Sequence, residues 1–332
     1  MSLKSGRIKI AAIVGPTASG KTALSIELAE RFGGEIISCD SMQIYREMDI
    51  GTAKPDMAER RGIPHHMIDI CEPTEKFSCS DYAEKATACI YDIVSRGKLP
   101  IFCGGTGLYL DSVIRGVRDD GAASDPAFRD AMQRFADENG ADALHSRLAS
   151  VDPEAAETIH PNNTRRVIRA LEVYHTTGKT KTQLDKESRE KNPLFDALII
   201  GLNYENRDIL YSRIDKRVDL MLQNGLLKEA KELYSKGLLS PTTTAGQAIG
   251  YKELLPFLEG SISIEEAADQ LKLDTRHYAK RQMTWFMAKK DINWISVCSE
   301  KDEYLTKTFE EIVNIASNLF HNCEISDIMN RR

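Results

Sequence analysis

The sequence predicts an α/β fold: a parallel sheet flanked by helices on both faces, interrupted by a helical insertion. Three observations predict it. Short, continuously apolar runs recur along the chain and end in loops rich in Gly, Asp or Ser, as buried parallel strands do. Helix-patterned stretches lie between most of them. The long stretch between Gly104-Gly105 and Ala197 holds helical patterns and no convincing strand.

Arg7 to Val14 is β-branched and apolar and ends at a glycine loop, which makes it the first strand. Lys21 to Phe32 has a helical pattern and stops at Gly33-Gly34, where a C-cap is expected. Glu35 to Cys39 and Leu99 to Cys103 are the next apolar strands, followed by Ala197 to Leu202 and Ile292 to Val297. Within the strand-free stretch, Pro126–Glu138, Ala141–Ser150 and Thr164–His175 read as helices, so residues 118–195 are expected to form a helical insertion domain. Residues 1–117 and 196–332 are expected to form the core. Asp208–Asn224 and Leu226–Ser235 follow as helices, closed by Gly225 and Gly237. Ser263-Ile-Glu-Glu266 is a capping box that opens a helix running without Pro or Gly to about Lys290.

A chain of 332 residues leaves room for about two domains. Hydrophobic residues make up 42% and charged residues 28%, the balance of a soluble globular protein, and no apolar run approaches the ~20 residues of a membrane span. Met1 to Lys9 is short and polar, and the apolar stretch behind it stops at Gly15, so it reads as a strand and not as a signal peptide. The seven cysteines, at 39, 71, 79, 89, 103, 298 and 323, form no C-x-x-C pair, which points to reduced thiols in a cytoplasmic protein. The net charge of −6 is unfavourable for nucleic acid, so local basic patches must carry any such partner.

Gly15-Pro16-Thr17-Ala18-Ser19-Gly20-Lys21-Thr22 matches G-x-x-x-x-G-K-[ST] between a strand and a helix, the context that gives the motif meaning. Glycines let backbone N–H groups converge on phosphate oxygens, the helix N-terminus adds its dipole, Lys21 adds a charge and Thr22 offers an oxygen to Mg²⁺. The core is therefore expected to be P-loop NTPase-like. The loop names a di- or triphosphate ligand, not a reaction. Ligands of such sheets sit at the carboxyl ends of the strands. The second strand ends at Asp40-Ser41-Met42-Gln43, and Asp40 could act as a general base, hold Mg²⁺ through water, or only cap the next segment. Another strand ends at Gly104-Gly105-Thr106-Gly107, and Thr106 is either a substrate contact or a turn residue. Adjacent His65 and His66 lack further ligands at matching spacing and are not expected to bind metal.

Two segments are locally basic. One, from Asn162 to Lys181, carries Arg165, Arg166 and Arg169; the other, from Thr275 to Lys290, carries Arg276, Lys280 and Arg281, with Trp285 and Phe286 two turns on. Such residues hold phosphates and stack on bases, or else form a solvated helix face over a core.

Taken together these stretches resemble the tRNA dimethylallyltransferase family in its bacterial form. The resemblance rests on GPTASGKT at 15–22, DSMQIYR at 40–46, GTAKP at 51–55, GGTGLYL at 104–110, NNTRRVIRALEV at 162–173, AIGYKE at 248–253 and TRHYAKRQMTWF at 275–286. These motifs stand in the family's order over almost the whole chain. The C-terminal zinc finger of many eukaryotic relatives has no counterpart after Lys290. The resemblance implies transfer of a dimethylallyl group from its diphosphate to N6 of the adenosine 3′ of the tRNA anticodon, at position 37. It implies that the loop Gly15–Thr22 and Arg129 hold the diphosphate, with Mg²⁺ at Thr22, that Asp40 takes the amine proton, and that Thr106 contacts substrate. It implies tRNA contacts from Asp40, Ser41, Met42 and Gln43, from Asn162, Asn163, Thr164, Arg165 and Arg166, from Ala248, Ile249, Gly250, Tyr251 and Lys252, and from Arg276, Lys280, Arg281 and Gln282. The expected protein is a cytoplasmic monomer with no membrane partner and no meaningful ATPase or kinase activity. Metabolite kinases, prenyltransferases of free adenine nucleotides and non-catalytic RNA-binding modules are the rival classes.

Overall fold

The computed structural model describes residues 7–116, 124–190, 195–240, 243–297 and 310–317. The chain divides into two compact units, residues 1–110 with 194–332 and residues 111–193.

The first unit is built on strands β1 (Ile8–Val14), β2 (Gly34–Ser38), β3 (His65–His66) and β4 (Leu99–Gly104), with helices α1 (Lys21–Phe32), α2 (Cys79–Ser95) and α3 (Gly107–Ile114). The second unit contains α4 (Pro126–Asn139), α5 (Ala141–Val151), α6 (Pro153–Thr158), α7 (Thr164–Thr177) and α8 (Lys181–Glu190). The chain then resumes the first unit with β5 (Phe195–Tyr204), α9 (Arg207–Gln223), α10 (Leu226–Ser235), α11 (Leu255–Leu258), α12 (Ile264–Met287) and β6 (Ile292–Val297).

The six strands form one parallel sheet in the order β3-β2-β4-β1-β5-β6. Its central strands read as unbroken apolar runs because both faces are covered: Ile10 to Ile13, Ile36, Ile37, Ile101, Phe102, Ile199 and Ile200 are all buried. Register fixes where the loops emerge. Val14 pairs with both Gly104 and Gly201, and Ser38 pairs with Cys103, so β1, β2 and β4 end level with one another. Gly33 adopts the left-handed conformation at φ 61° and closes α1, and Ser263 and Glu266 form the reciprocal capping box that opens α12. Residues 310–317 are helical and send Ile312 and Ala316 into the same core.

The structure departs most from the sequence expectation at three elements. α12 ends at Met287, short of Lys290, and β5 extends past both ends of Ala197–Leu202. The two-residue β3 was not expected. Its histidines pair with Ile36 and Ile37, a bridge too short to leave an apolar pattern. His66 Nε2 meets Glu35 Oε2 at 2.7 Å and His65 Nδ1 lies 2.8 Å from Ile63 O.

The second unit has its own core, with Leu144, Leu148, Val167, Ile168 and Leu171 buried together. Asp125 caps α4, with Pro126 in its first turn, and Asp152 caps α6 while its second oxygen accepts the Thr182 N–H at 3.0 Å.

Candidate active site

The loop after β1 curls tightly because three of its residues take positive φ: Gly15 at 148°, Ala18 at 61° and Gly20 at 91°. That value is unusual for an alanine. The bend at Ala18 is held by Arg213 of α9, whose Nε donates to the Ala18 carbonyl at 2.8 Å, and the Tyr204 hydroxyl donates to Ser19 O at 3.2 Å. Gly20 is the N-cap of α1 and provides no side-chain cap. The first N–H groups of α1 therefore remain available to an anion. Lys21 Nζ meanwhile donates to Pro16 O at 2.8 Å. The Ser19 hydroxyl is buried without a hydrogen-bond partner.

The loop after β2 brings in Asp40. Its Oδ1 accepts the Met42 N–H at 2.9 Å, an Asx turn; the segment that follows is a turn and not a helix, so Asp40 is not the helix cap that the sequence offered as one reading. Gln43 is turned inward: its Oε1 accepts from Ser38 Oγ at 2.8 Å, and its Nε2 donates to Thr52 O and Ala53 O at 3.3 and 3.2 Å. The loop after β4 is laid directly over the Asp40 loop. Thr106 N–H donates to Cys39 O at 3.0 Å, and Thr106 Oγ1 accepts the Ser41 N–H at 3.1 Å. A side chain at Gly104 would overlap the Cys39 carbonyl, so the close approach of these two loops requires glycine there.

Helix α12 closes this assembly from one side. A Cβ at Gly105 would overlap Gln282, and one at Gly107 would overlap Trp285. Gln282, only 5% exposed, accepts the Thr17 N–H at 2.8 Å and donates to Gly105 O at 3.2 Å. Tyr278 hydrogen-bonds Thr106 and Gln282; burial raises its pKa, and the Asp40 charge raises it further.

The electrostatics favour an anion. Lys21 keeps part of its surface exposed, yet the protein packed round its ammonium lowers its pKa to about 8, against the opposing pull of Cys103 and Asp40. Arg217, one turn beyond Arg213 on α9, also has its pKa lowered by burial and partly restored by Asp40. Two partly desolvated cations thus share one nearby carboxylate. An incoming phosphate would gain from both.

The structure thus brings Gly15–Thr22, Asp40 and Thr106 together, and adds Arg213 and Arg217, which the sequence reading missed. Their signal was two arginines at i,i+4 on one helix, far from any motif. Other expected contacts are placed differently. Arg276 is held by Asp215 of α9, with Nε donating to Oδ1 at 3.0 Å, whereas Lys280 and Arg281 are exposed. Ala248 and Tyr251 are buried; the Tyr251 hydroxyl donates to Glu229 Oε1 at 2.7 Å, and Gly250 at φ 103° packs against Gly51. Ile249 is half-buried, and Lys252 pairs with Asp274 at 3.1 Å. Side chains such as Tyr251 and Gln282 shape the loops from within and do not face solvent.

In the second unit, Arg129 Nε donates to the buried Glu172 at 2.7 Å, and Arg169 pairs with the other oxygen of Glu172. Asn162, Asn163, Arg165 and Arg166 are exposed around the start of α7, and Thr164 is half-buried. No cluster of three His, Cys, Asp or Glu side chains suited to a metal occurs among the described residues. The hydroxyl of Thr22 and the carboxylate of Asp40 are instead the hard oxygen donors that suit an Mg²⁺ carried in on phosphate.

Comparison with known proteins decides the kinship. A family model described as IPP transferase matches residues 43–290, and one described as isopentenyl transferase matches residues 8–72. The chain belongs to the tRNA dimethylallyltransferase family. The tRNA dimethylallyltransferase of Bacillus subtilis is 51% identical over 307 residues, covering 92% of this chain and 96% of that protein. That of Caldanaerobacter subterraneus is 50% identical over 306 residues, covering 92% and 95%. Among solved structures, a tRNA isopentenylpyrophosphate transferase from Bacillus halodurans has TM-score 0.70 at 43% identity, covering 97% of this chain and 99% of that one. A eukaryotic dimethylallyltransferase acting on tRNA has TM-score 0.81 at 33% identity, covering 96% and 80%. The loops after β1, β2 and β4, with α9 and α12, all lie within the segments that these two family models match. No helix among the described residues is long and apolar enough to cross a membrane.

Proposed function

We propose that this protein transfers the dimethylallyl group of dimethylallyl diphosphate to N6 of the adenosine 3′ of the anticodon in tRNA, position 37, giving N6-dimethylallyladenosine and diphosphate. The observation that carries the reading is the meeting of a phosphate loop, two desolvated cations and one carboxylate at a single strand edge, in a chain of this family.

The exocyclic amine of adenine is a weak nucleophile because its lone pair is delocalised into the ring. As N6 bonds to the allylic C1, the C1–O bond breaks and diphosphate departs with the electron pair. The carboxylate of Asp40 takes the proton that N6 sheds, which is worth about 10²–10⁴ in rate for a positioned base. Charge accumulates on diphosphate oxygens, where the free amides of the loop, Lys21 and Arg217 stand. Thr106, already bonded to the Asp40 loop, holds the base and carboxylate in register. Mg²⁺, when bound at Thr22 with the diphosphate, would neutralise leaving-group charge. A single-stranded anticodon loop is the cheapest place from which to extrude the target base, since flipping costs a few kcal/mol and least outside a duplex. The exposed Lys280, Arg281, Arg165 and Arg166 supply charge for the RNA backbone.

The test is mass analysis of nucleosides from tRNA incubated with the protein, Mg²⁺ and dimethylallyl diphosphate, beside a parallel incubation with ATP. N6-dimethylallyladenosine at position 37 is expected. Unmodified tRNA with ATP turnover in its place would overturn the reading in favour of a kinase.

A further inference from the structure

Helix α12 faces two ways. Lys280 and Arg281 lie exposed on it, while the adjacent Gln282 is buried and Tyr278 lies one turn before Gln282. The Gln282 amide uses both of its ends. Its oxygen accepts from Thr17 in the phosphate loop and its nitrogen donates to Gly105, next to Thr106. A carboxamide offers an acceptor and a donor on one short planar group, whereas an ionised carboxylate, an ammonium or an apolar side chain cannot make both bonds. The absence of a Cβ at Gly105 makes room for it. Because the Thr17 N–H is committed to α12, the curvature of the phosphate loop is set in part by the position of that helix.

We propose that Gln282 is a positioning residue that couples RNA binding on the outer face of α12 to diphosphate binding in the phosphate loop, so that each ligand tightens the other. The identity of the two ligands rests on the function proposed above. RNA phosphates drawn to Lys280 and Arg281 fix the rotation of the helix at the residues immediately preceding Gln282. That fixes the amide, and the amide fixes Thr17 and Gly105. Reciprocity then requires diphosphate to tighten RNA by the same factor. The sign is diagnostic, because two polyanions entering one crevice would otherwise repel and weaken each other.

The experiment uses the full chain with Mg²⁺, an anticodon stem-loop RNA and inorganic diphosphate as the probe. The Kd of each is measured with the other absent and saturating. In the wild type each ligand is expected to tighten the other about fivefold or more, by equal factors. Gln282→Met keeps the length but neither bond, and should bring the factor to near one. Gln282→Glu keeps the acceptor for Thr17, loses the donor for Gly105, and should fall between. Mutual weakening or independence in the wild type overturns the proposal without recourse to variants. A folded Gln282→Met protein that keeps the wild-type factor also overturns it, even if its melting temperature or separate affinities drop. A wild type that binds neither RNA nor diphosphate would instead fail the proposed function itself.

Discussion

Replacing Asp40 with Asn separates the chemistry of the carboxylate from its place in the loop. Asn retains an oxygen for the Met42 N–H, now at 2.9 Å, so the turn after β2 should persist and RNA affinity should stay within a few-fold. Two things are lost, a base and a negative charge. Loss of the base should slow turnover by about 10²–10⁴, which is roughly 3–5 kcal/mol on the barrier. Loss of the charge acts on Lys21, whose pKa of about 8 is held up in part by Asp40. An ammonium is charged below its pKa and neutral above it, so binding of an anion weakens as pH rises through that value. In Asp40→Asn the pKa of Lys21 falls further, and the weakening should begin at lower pH. Below that point the variant should bind diphosphate at least as well as the wild type, because a like charge has gone. The assay is rapid-quench single-turnover prenyl transfer from pH 6 to 9, with the Kd for diphosphate at each pH. A single-turnover rate near that of the wild type would remove Asp40 as the base. An unshifted pH dependence of the Kd would remove its coupling to Lys21.

Four further outcomes are expected. Lys280→Ala with Arg281→Ala should flatten the log–log salt dependence of RNA affinity by about 1.5, at ~0.7–0.9 per phosphate contact, and an unchanged slope would return both to a solvated helix face. Arg276→Ala should leave that slope alone and lower stability instead, because Asp215 loses its bidentate partner. Gly105→Ala should destabilise by about 1–3 kcal/mol in urea unfolding, since the new methyl must displace Gln282; an unmoved midpoint would refute the tight fit. Glu253, buried at 4% exposure, has its pKa pushed up to about 7 by burial. A carboxyl raised above its unfolded value contributes stability that is full below about pH 4.5 and is lost as pH rises through about 7. Wild type should therefore lose up to roughly 2–3 kcal/mol between pH 5 and 8 that Glu253→Gln does not, and parallel curves would contradict it.

Much of the site was readable in the sequence because its chemistry is carried by loops with strict backbone needs. The glycines of Gly15–Thr22 and the Gly104-Gly105-Thr106-Gly107 run mark places where backbone passes close to backbone or to α12, and they point at Thr106 and Asp40 by topology alone. The apolar runs of β1, β2 and β4 announced themselves for the same reason: both faces are buried. What was not readable depended on partners distant in sequence. Arg213 lies 195 positions from the Ala18 carbonyl that it holds, and beyond its i,i+4 spacing to Arg217 nothing local distinguishes it from a solvated arginine. Gln282 sat in a basic, RNA-like motif, and its burial follows only from the missing Cβ of Gly105, 177 positions away. That Arg276 meets a carboxylate was equally hidden, because its partner, Asp215, belongs to another helix.

The placement of β5 has a consequence for synthesis. β1 lies between β4 and β5 and is apolar apart from Lys9, but β5 is made long after the other two. Once Gly104 has left the ribosome, β1, β2 and β4 can pair, and the free edge of β1 then waits for about ninety residues, or ~5–20 s at ordinary elongation rates. Through that interval the nascent chain carries an unpaired sheet edge, apolar beyond Lys9, of the kind that recruits other strands. The residues translated during the wait, 111–193, form a compact unit with a core of its own. Folding early, that unit would shorten the loop that β5 must close to reach β1, and so limit the time a half-built sheet is open to aggregation.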